Sequence, residues 1–495
     1  MTAHITEAPS GLAAFIPRDL RTARTEVLAG LVVALALIPE AISFSILAGV
    51  DPQVGLFASF TMAVTIAFTG GRPAMISAAT GAIALVVAPL AKEYGLGYLI
   101  AAVILGGVVQ VLLALGGVAG LMRFVPRSVM VGFVNSLAIL IFMAQITHLI
   151  GVPALVYPLV IVSLLIIVLL PKLTTAVPSP LVAIVLVTAT VVAMNLSVPT
   201  VGDEGELPTS LPFLSLPDVP FTLETLRIIA PYALAVALVG LMESLMTAKL
   251  VDDITDTHSN KTRESWGQGV ANIVTGFFGG MGGCAMIGQT MINVRSGART
   301  RLSTLLAGMF LLILVVALGQ VVAIIPMAVL VAVMIIVAVS TFDWHSLRTL
   351  RTMPKSETLV MISTVVVVVL THNLAIGVIV GVLVAMVLFA RRVAHFVDVE
   401  SVDDPDASAK VYSVHGEIFF ASSNDLVYQF DYLGDPEHVI IDMSEAHVWD
   451  ASSVAALDAI VTKYERRGKT ATITGLNEAS DAIHQRLGGQ LNASH

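Results

Sequence analysis

The sequence predicts a polytopic α-helical membrane protein of 14 spans, followed by a small soluble α/β domain. Three observations carry that reading. Of 495 residues, 56% are hydrophobic and only 12% are charged, where a soluble domain has roughly 45–50% and about 25%. The apolar residues gather in runs close to the ~20 residues that a bilayer-crossing helix needs. The acidity sits at one end: residues 396–495 hold 17 Asp and Glu against 6 Lys and Arg, whereas residues 1–395 hold 18 against 20. With a formal charge of −9 and no basic cluster, disorder and nucleic-acid partners are excluded. A lone cysteine, Cys284, excludes a disulfide framework and any multi-cysteine metal site.

Residues 1–24 read as a cytoplasmic N-terminal segment. Arg18, Arg21 and Arg24 precede the first apolar run and no cleavage site follows it, so a removable signal peptide is not expected. The first seven spans are expected at 25–48, 53–70, 75–91, 96–119, 128–150, 155–171 and 180–197. A second seven are expected at 228–250, 265–281, 286–296, 302–319, 321–340, 357–371 and 374–394. With the N-terminus in the cytoplasm, 18 Lys and Arg fall at inward ends and only Lys92 and Arg227 at outward ends, as the positive-inside rule requires. The polar stretch 198–225 then faces outward, and the acidic end of the chain lies in the cytoplasm.

An odd number of spans per repeat turns the second copy upside down, so 25–197 and 228–395 are expected to form an inverted repeat. The third segment of each set is short and interrupted, and such matched segments point to the binding site of a secondary transporter. Met75-Ile76-Ser77-Ala78-Ala79-Thr80-Gly81 and Met286-Ile287-Gly288-Gln289-Thr290 open those two segments. Either they are half-helix starts whose free N–H groups and partial positive charge hold an anion, or they are close-packing stripes of small residues. Gln289 either donates to an anion or satisfies a carbonyl of the broken helix.

Two carboxylates lie deep in first spans. Glu40, in Leu37-Ile38-Pro39-Glu40-Ala41, has no basic residue within a turn. It is either a proton site coupled to transport or a protonated tie between helices. Glu243, in Gly240-Leu241-Met242-Glu243-Ser244, binds a cation, orients backbone around the site, or is satisfied locally by Ser244 or Thr247. Cys284 reads as a packing residue. The 11 histidines show no metal-ligand spacing, so neither a cofactor nor hydrolysis is expected.

Ile38-Pro39-Glu40-Ala41-Ile42-Ser43-Phe44, followed by Leu47 to Phe57, resembles the first-span signature of the sulfate permease (SulP) or solute-carrier-26 anion transporters. Ile292 to Thr300 resembles the exit of that family's tenth span, and Ala451-Ser452-Ser453 within Val439–Leu476 resembles the core of its STAS domain. The resemblance implies two intertwined seven-span repeats, divided into a core and a gate domain that move like an elevator, usually in a homodimer. It implies an anion site between the third and tenth spans, bordered by the first and eighth; Ser77, Ala78, Ala79, Thr80, Ile287, Gly288, Gln289 and Phe44 are the expected substrate-binding residues, and Glu40 and Glu243 the expected ion-coupling residues. Two departures matter. The family usually has Gln where Glu40 stands, and many eukaryotic members have Arg where Gln289 stands. A lost cation and a gained carboxylate favour symport over chloride exchange.

After a linker at 396–410, residues 411–495 read as the STAS domain. Strands are expected at 411–414, 418–420, 439–442 and 470–473, and helices at 424–432, 452–466 and 478–487. Asp450 to Ser453 reads as a helix cap. The expected function is proton-coupled symport, at the inner membrane, of sulfate, bicarbonate or a dicarboxylate such as fumarate. The rivals are a sodium-coupled bicarbonate symporter and an anion exchanger or channel. An enzyme is not expected, because no nucleophile–base pair appears.

Overall fold

The computed structural model describes residues 15–16, 19–117, 120, 125–174, 178–208, 210–394, 397–403 and 409–488. The chain forms two compact units, Met1–Val382 and Leu383–His495. In chain order, the first elements are α1 (Leu20–Ala48), α2 (Pro52–Thr69), a two-residue strand β1 (Ser77–Ala78), α3 (Gly81–Tyr94) and α4 (Leu96–Leu115). There follow α5 (Arg127–Thr147), α6 (Val156–Leu169), α7 (Ser179–Ala193), α8 (Leu223–Thr255) and α9 (Lys261–Phe277). A second two-residue strand, β2 (Cys284–Ala285), precedes α10 (Ile287–Arg295), α11 (Arg301–Ala323) and α12 (Met327–Thr341). A short α13 (Trp344–Thr349), α14 (Lys355–Thr371) and α15 (Leu374–Ala394) complete the helices.

A helix lies on each apolar segment read from the sequence. Among the described residues seven helices are long and apolar enough to cross a membrane: α1, α2, α4, α5, α8, α11 and α15. Shorter apolar helices occupy Val156–Lys172, Ser179–Ala193 and Met327–Thr341. The two interrupted segments are not helical throughout. Each begins as extended chain and turns helical only at Gly81 or Ile287.

Packing sorts the helices of this unit into two groups. In the first, α4 packs on α8 and α9, α2 on α9 and α11, and α1 on α2, α3, α10 and α11. In the second, α5 packs on α12 and α14, and α6 on α7 and α12. Glycine sets the closeness of the first group: a Cβ on Gly107 would stand 2.6 Å from the Gly269 carbonyl oxygen, and one on Gly269 equally close to that of Gly107. A Cβ on Gly30 would likewise meet the Ser303 oxygen at 2.9 Å. Backbones that touch leave no slack between α4 and α9 or between α1 and α11.

Polar side chains seal the ends of this group. Glu26, fully buried on α1, accepts from the N–H groups of Arg299 (2.7 Å), Thr300 (2.9 Å) and Ser303 (3.2 Å), capping α11 from another helix. Glu264, also buried, accepts from the N–H groups of Gly71 (2.7 Å) and Arg72 (2.9 Å). Asp252 receives Arg72 at 2.8 Å and Lys261 at 2.6 Å.

The second unit carries a four-stranded sheet in the order β3 (Asp398–Asp403), β4 (Ala409–Ile418), β5 (His438–Val448), β6 (Thr470–Thr474). β3 runs antiparallel to β4, and β4, β5 and β6 are mutually parallel. Its helices are α16 (Ser423–Leu426), α17 (Ala451–Glu465) and α18 (Glu478–Leu487). The stretch read as a linker at 396–410 therefore contains a strand. Its acidic residues mask the pattern because an edge strand shows one side to water. The helix expected at 424–432 is one turn. Asp450 caps α17 as expected, accepting from the Ser453 N–H at 2.9 Å.

Candidate functional site

β1 and β2 pair antiparallel, Ser77 with Ala285 and Ala78 with Cys284. The ladder extends by one bond, from the Met286 N–H to the Ile76 carbonyl at 2.8 Å. This crossing places the starts of α3 and α10 side by side and sends the two helices in opposite directions. It depends on Gly283, where a Cβ would lie 2.0 Å from the Ala78 oxygen, and on Asn272, which accepts from the Gly283 N–H at 2.9 Å and donates to its carbonyl at 3.1 Å. Each helix start has N–H groups with no intrahelical partner. Thr80 caps α3; Met286 offers α10 no side-chain cap.

A cavity of about 230 Å³ lies in front of these two starts. One wall comes from the first helix group: Glu40 and Phe44 of α1, Thr80 and Gly81, Glu243 and Met246 of α8, and Met286 to Gln289 with Ile292. The facing wall comes from the second group: Phe133, Val134, Leu137 and Ile141 of α5, with Val337, Ser340 and Thr341 of α12. The chemistry is asymmetric. Both carboxylates and both helix starts belong to the first group, while the second contributes mainly apolar surface.

Of the residues singled out from the sequence, the structure brings Glu40, Phe44, Thr80, Glu243, Ile287, Gly288 and Gln289 together on this cavity. Ser77, Ala78 and Ala79 do not line it. They are buried in the crossing: the Ser77 hydroxyl accepts from Gln268 at 2.6 Å, Ala78 pairs with Cys284, and the Ala79 N–H donates to the Ser59 hydroxyl at 3.3 Å. The helix begins only after them, so their N–H groups belong to the crossing rather than to the helix start.

The two positions that depart from the family pattern, Glu40 and Gln289, line the same cavity. Glu243 has a partner that the sequence did not reveal. Its Oε2 accepts from the Cys284 thiol at 2.9 Å, and that sulfur lies 3.1 Å from the Thr80 hydroxyl. Cys284 is therefore a bonding residue, and Thr80, Cys284 and Glu243 tie the α3 cap to α8. The Ser244 hydroxyl instead accepts from the Ala285 N–H (3.1 Å), and Thr247 donates to the Glu243 backbone carbonyl (2.8 Å). Among the described residues no group of three or more His, Cys, Asp or Glu could hold a metal ion.

The profile of the sulfate permease family matches residues 24–156 and 152–364, and that of the STAS domain matches residues 398–490. The chain is 54% identical over 464 residues to a Bacillus subtilis protein named putative sulfate transporter YbaR, covering 94% of this chain and 97% of that one. It is 26% identical over 494 residues to a Picosynechococcus protein named bicarbonate transporter BicA, covering 89% and 86%. The solved transmembrane domain of a cyanobacterial BicA aligns with a TM-score of 0.64 at 25% identity, covering 74% of this chain and 98% of that one. Murine Slc26a9, an anion transporter, shares the fold with a TM-score of 0.81 at 17% identity, over 97% and 89%. With named transporters as relatives along nearly its whole length and a STAS domain behind the helices, this chain belongs to the sulfate permease family of anion transporters.

Proposed function

We propose that the protein is a secondary active transporter that carries an oxyanion or carboxylate inward together with a proton. The single observation behind this reading is the cavity on which two helix starts, Glu40 and Gln289 meet. The unpaired N–H groups and partial positive charges of α3 and α10 attract a negative solute without a fixed cation. An ionised Glu40 repels that solute. Protonation removes the repulsion, so anion and proton enter the cavity together. Glu243, whose Oε2 accepts from Cys284, stands as the second coupling group.

In this reading 14 spans form two inverted repeats, with both termini in the cytoplasm and the chain in the inner membrane as a homodimer. The first helix group carries the bound ions past the second in an elevator-like step. Sulfate is supported by the name of the Bacillus relative and bicarbonate by that of BicA. Dicarboxylates such as fumarate present the same carboxylate oxygens. A sodium-driven bicarbonate carrier is the competing reading, for which the BicA likeness supports the anion.

The test is uptake of labelled sulfate, bicarbonate and fumarate into proteoliposomes, with proton and sodium gradients imposed separately. Uptake against the anion's gradient, driven by inward protons and indifferent to sodium, is the expected result. Glu40→Gln should slow uptake and flatten its pH dependence. A variant that keeps the wild-type pH dependence removes Glu40 from coupling; sodium dependence transfers the assignment to the rival.

A further inference from the structure

The crossover from α7 to α8 ends in a strap whose composition does not suit water. Between Leu211 and Leu223 it carries one charge, Asp218. Leu211, Phe213, Leu214, Leu216, Phe221 and Leu223 are 64–90% exposed. Contiguous exposed apolar surface on this scale marks an interaction face. Part of its backbone is satisfied within the protein. Pro212, Pro217 and Pro220 have no N–H to satisfy, and the N–H groups of Ser215, Val219 and Thr222 are all bonded within the protein, at 2.7, 3.0 and 2.9 Å.

The strap is fixed to helix ends. Ser215 donates to the Phe277 carbonyl at the end of α9, and the Asp218 oxygen would stand 2.9 Å from a Cβ on Gly97, at the start of α4. Between the strap, α4 and α8 runs an apolar groove of about 290 Å³, lined by Ile104, Val108, Val219, Phe221, Leu226 and Ile229. Val108 and Leu226 also belong to the exposed apolar faces of α4 and α8, both membrane-crossing helices by length and composition. The groove is thus continuous with the surface that the bilayer covers.

We propose that residues 211–223 lie within the lipid leaflet at this end of the helices, with an acyl chain in the groove between the strap, α4 and α8. The occupant follows from continuity: whatever solvates the flanking faces of α4 and α8 also reaches the groove. Asp218, exposed on the strap, marks where its chain returns to the headgroups.

The test places a spin label on full-length protein in proteoliposomes at Phe213→Cys, Leu216→Cys and Phe221→Cys, with the unmutated chain giving the background from buried Cys284. Glu204→Cys, on the polar part of the crossover, is the water reference, and Ile313→Cys, on the exposed face of α11, is the lipid reference. The ratio of collisions with dissolved oxygen to collisions with a water-soluble nickel chelate should match Ile313→Cys and exceed Glu204→Cys severalfold. A ratio equal to the water reference overturns the proposal. So does protection from both reagents, which would place a second copy of the chain over the strap. Phe213→Trp, in a chain with Trp266, Trp344 and Trp449 changed to Phe, gives an independent readout: its emission should be quenched by lipids brominated on their acyl chains, and an unquenched residue refutes the placement.

Discussion

At the residue scale, the cavity is made by what is missing as much as by what is present. Gly288 sits at the second position of α10, and beyond its own stretch of helix nothing lies within 4 Å of where its Cβ would be, so that direction is open space in front of the helix start. Gly288→Leu should fill the volume an anion needs while leaving every packed contact intact. Uptake then falls on the order of tenfold or more, since even small misplacements in a site are that costly, and the thermal unfolding temperature stays at the wild-type value. Anion-stabilised unfolding assays and uptake on the same preparation separate the two effects; a loss of thermal stability matching the loss of uptake would refute the account. Glu40 and Gln289 were legible in the sequence because a deep acid and an amide at a helix start each carry a local signal, whereas Phe44 entered only through the likeness of Ile38–Phe44 to a family signature. The bond of Cys284 to Glu243 was not, because the partners are 41 residues apart and meet only once β1 and β2 cross. Glu26 escaped for the same reason: its role is to cap a helix that begins 275 residues later.

At the scale of elements, apolar runs revealed the helices but not where each one starts. The segment at 75–91 is extended up to Thr80, and that at 286–296 turns helical only after the β2 strand that precedes it, because antiparallel pairing across the molecule outweighs local helix preference. In the STAS domain the long strand β5 was cut short in the sequence reading, since Ser444 and Glu445 interrupt its apolar pattern. The same domain holds its sheet to its helix through one buried acid. Asp435 accepts from the hydroxyls of Tyr412 (2.9 Å) and Tyr464 (2.5 Å) and lies 3.0 Å from the Lys410 ammonium. The Asp435 carboxylate holds Lys410 above its ordinary 10.5. A base whose folded value is raised contributes stability in full below its unfolded value, and loses it as pH climbs toward the folded one. The domain should therefore weaken above about pH 10.5. Asp435→Asn removes the charge that Lys410 faces and should cost about 3 kcal/mol at neutral pH. Urea unfolding followed by Trp449 emission, in a chain with Trp266 and Trp344 changed to Phe, measures both. A wild-type midpoint at neutral pH in the Asp435→Asn chain would show the cluster to be inert.

At the scale of the whole molecule, the division of the helices into two groups explains why the cavity sits where it does. Within the first group, glycine-mediated contacts such as Gly107–Gly269 bring backbones together and leave nothing to slide. Across the cavity the groups meet through side chains: a Cβ on Gly81 would stand 2.9 Å from the Phe44 ring of its own group and 3.0 Å from the Ile141 tip of the other. A rigid body carrying both helix starts and both carboxylates, facing a mostly apolar wall, is the arrangement that lets bound ions travel without uncovering a charge to lipid. If the first group moves as one piece, a covalent link between the groups at the cavity must stop transport while leaving the site formed. Gly81→Cys with Ile141→Cys places two thiols across that boundary, close enough for a mercury bridge or a short bifunctional reagent. Uptake by each single variant, measured with and without the reagent, sets the baseline; the doubly substituted protein should lose its uptake on cross-linking, and a reducing thiol should restore it. Anion binding by the cross-linked protein, followed by thermal shift, should persist, because both helix starts remain in place. Undiminished uptake after complete cross-linking would mean that the groups do not move past one another, and transport would then have to occur through a static pore.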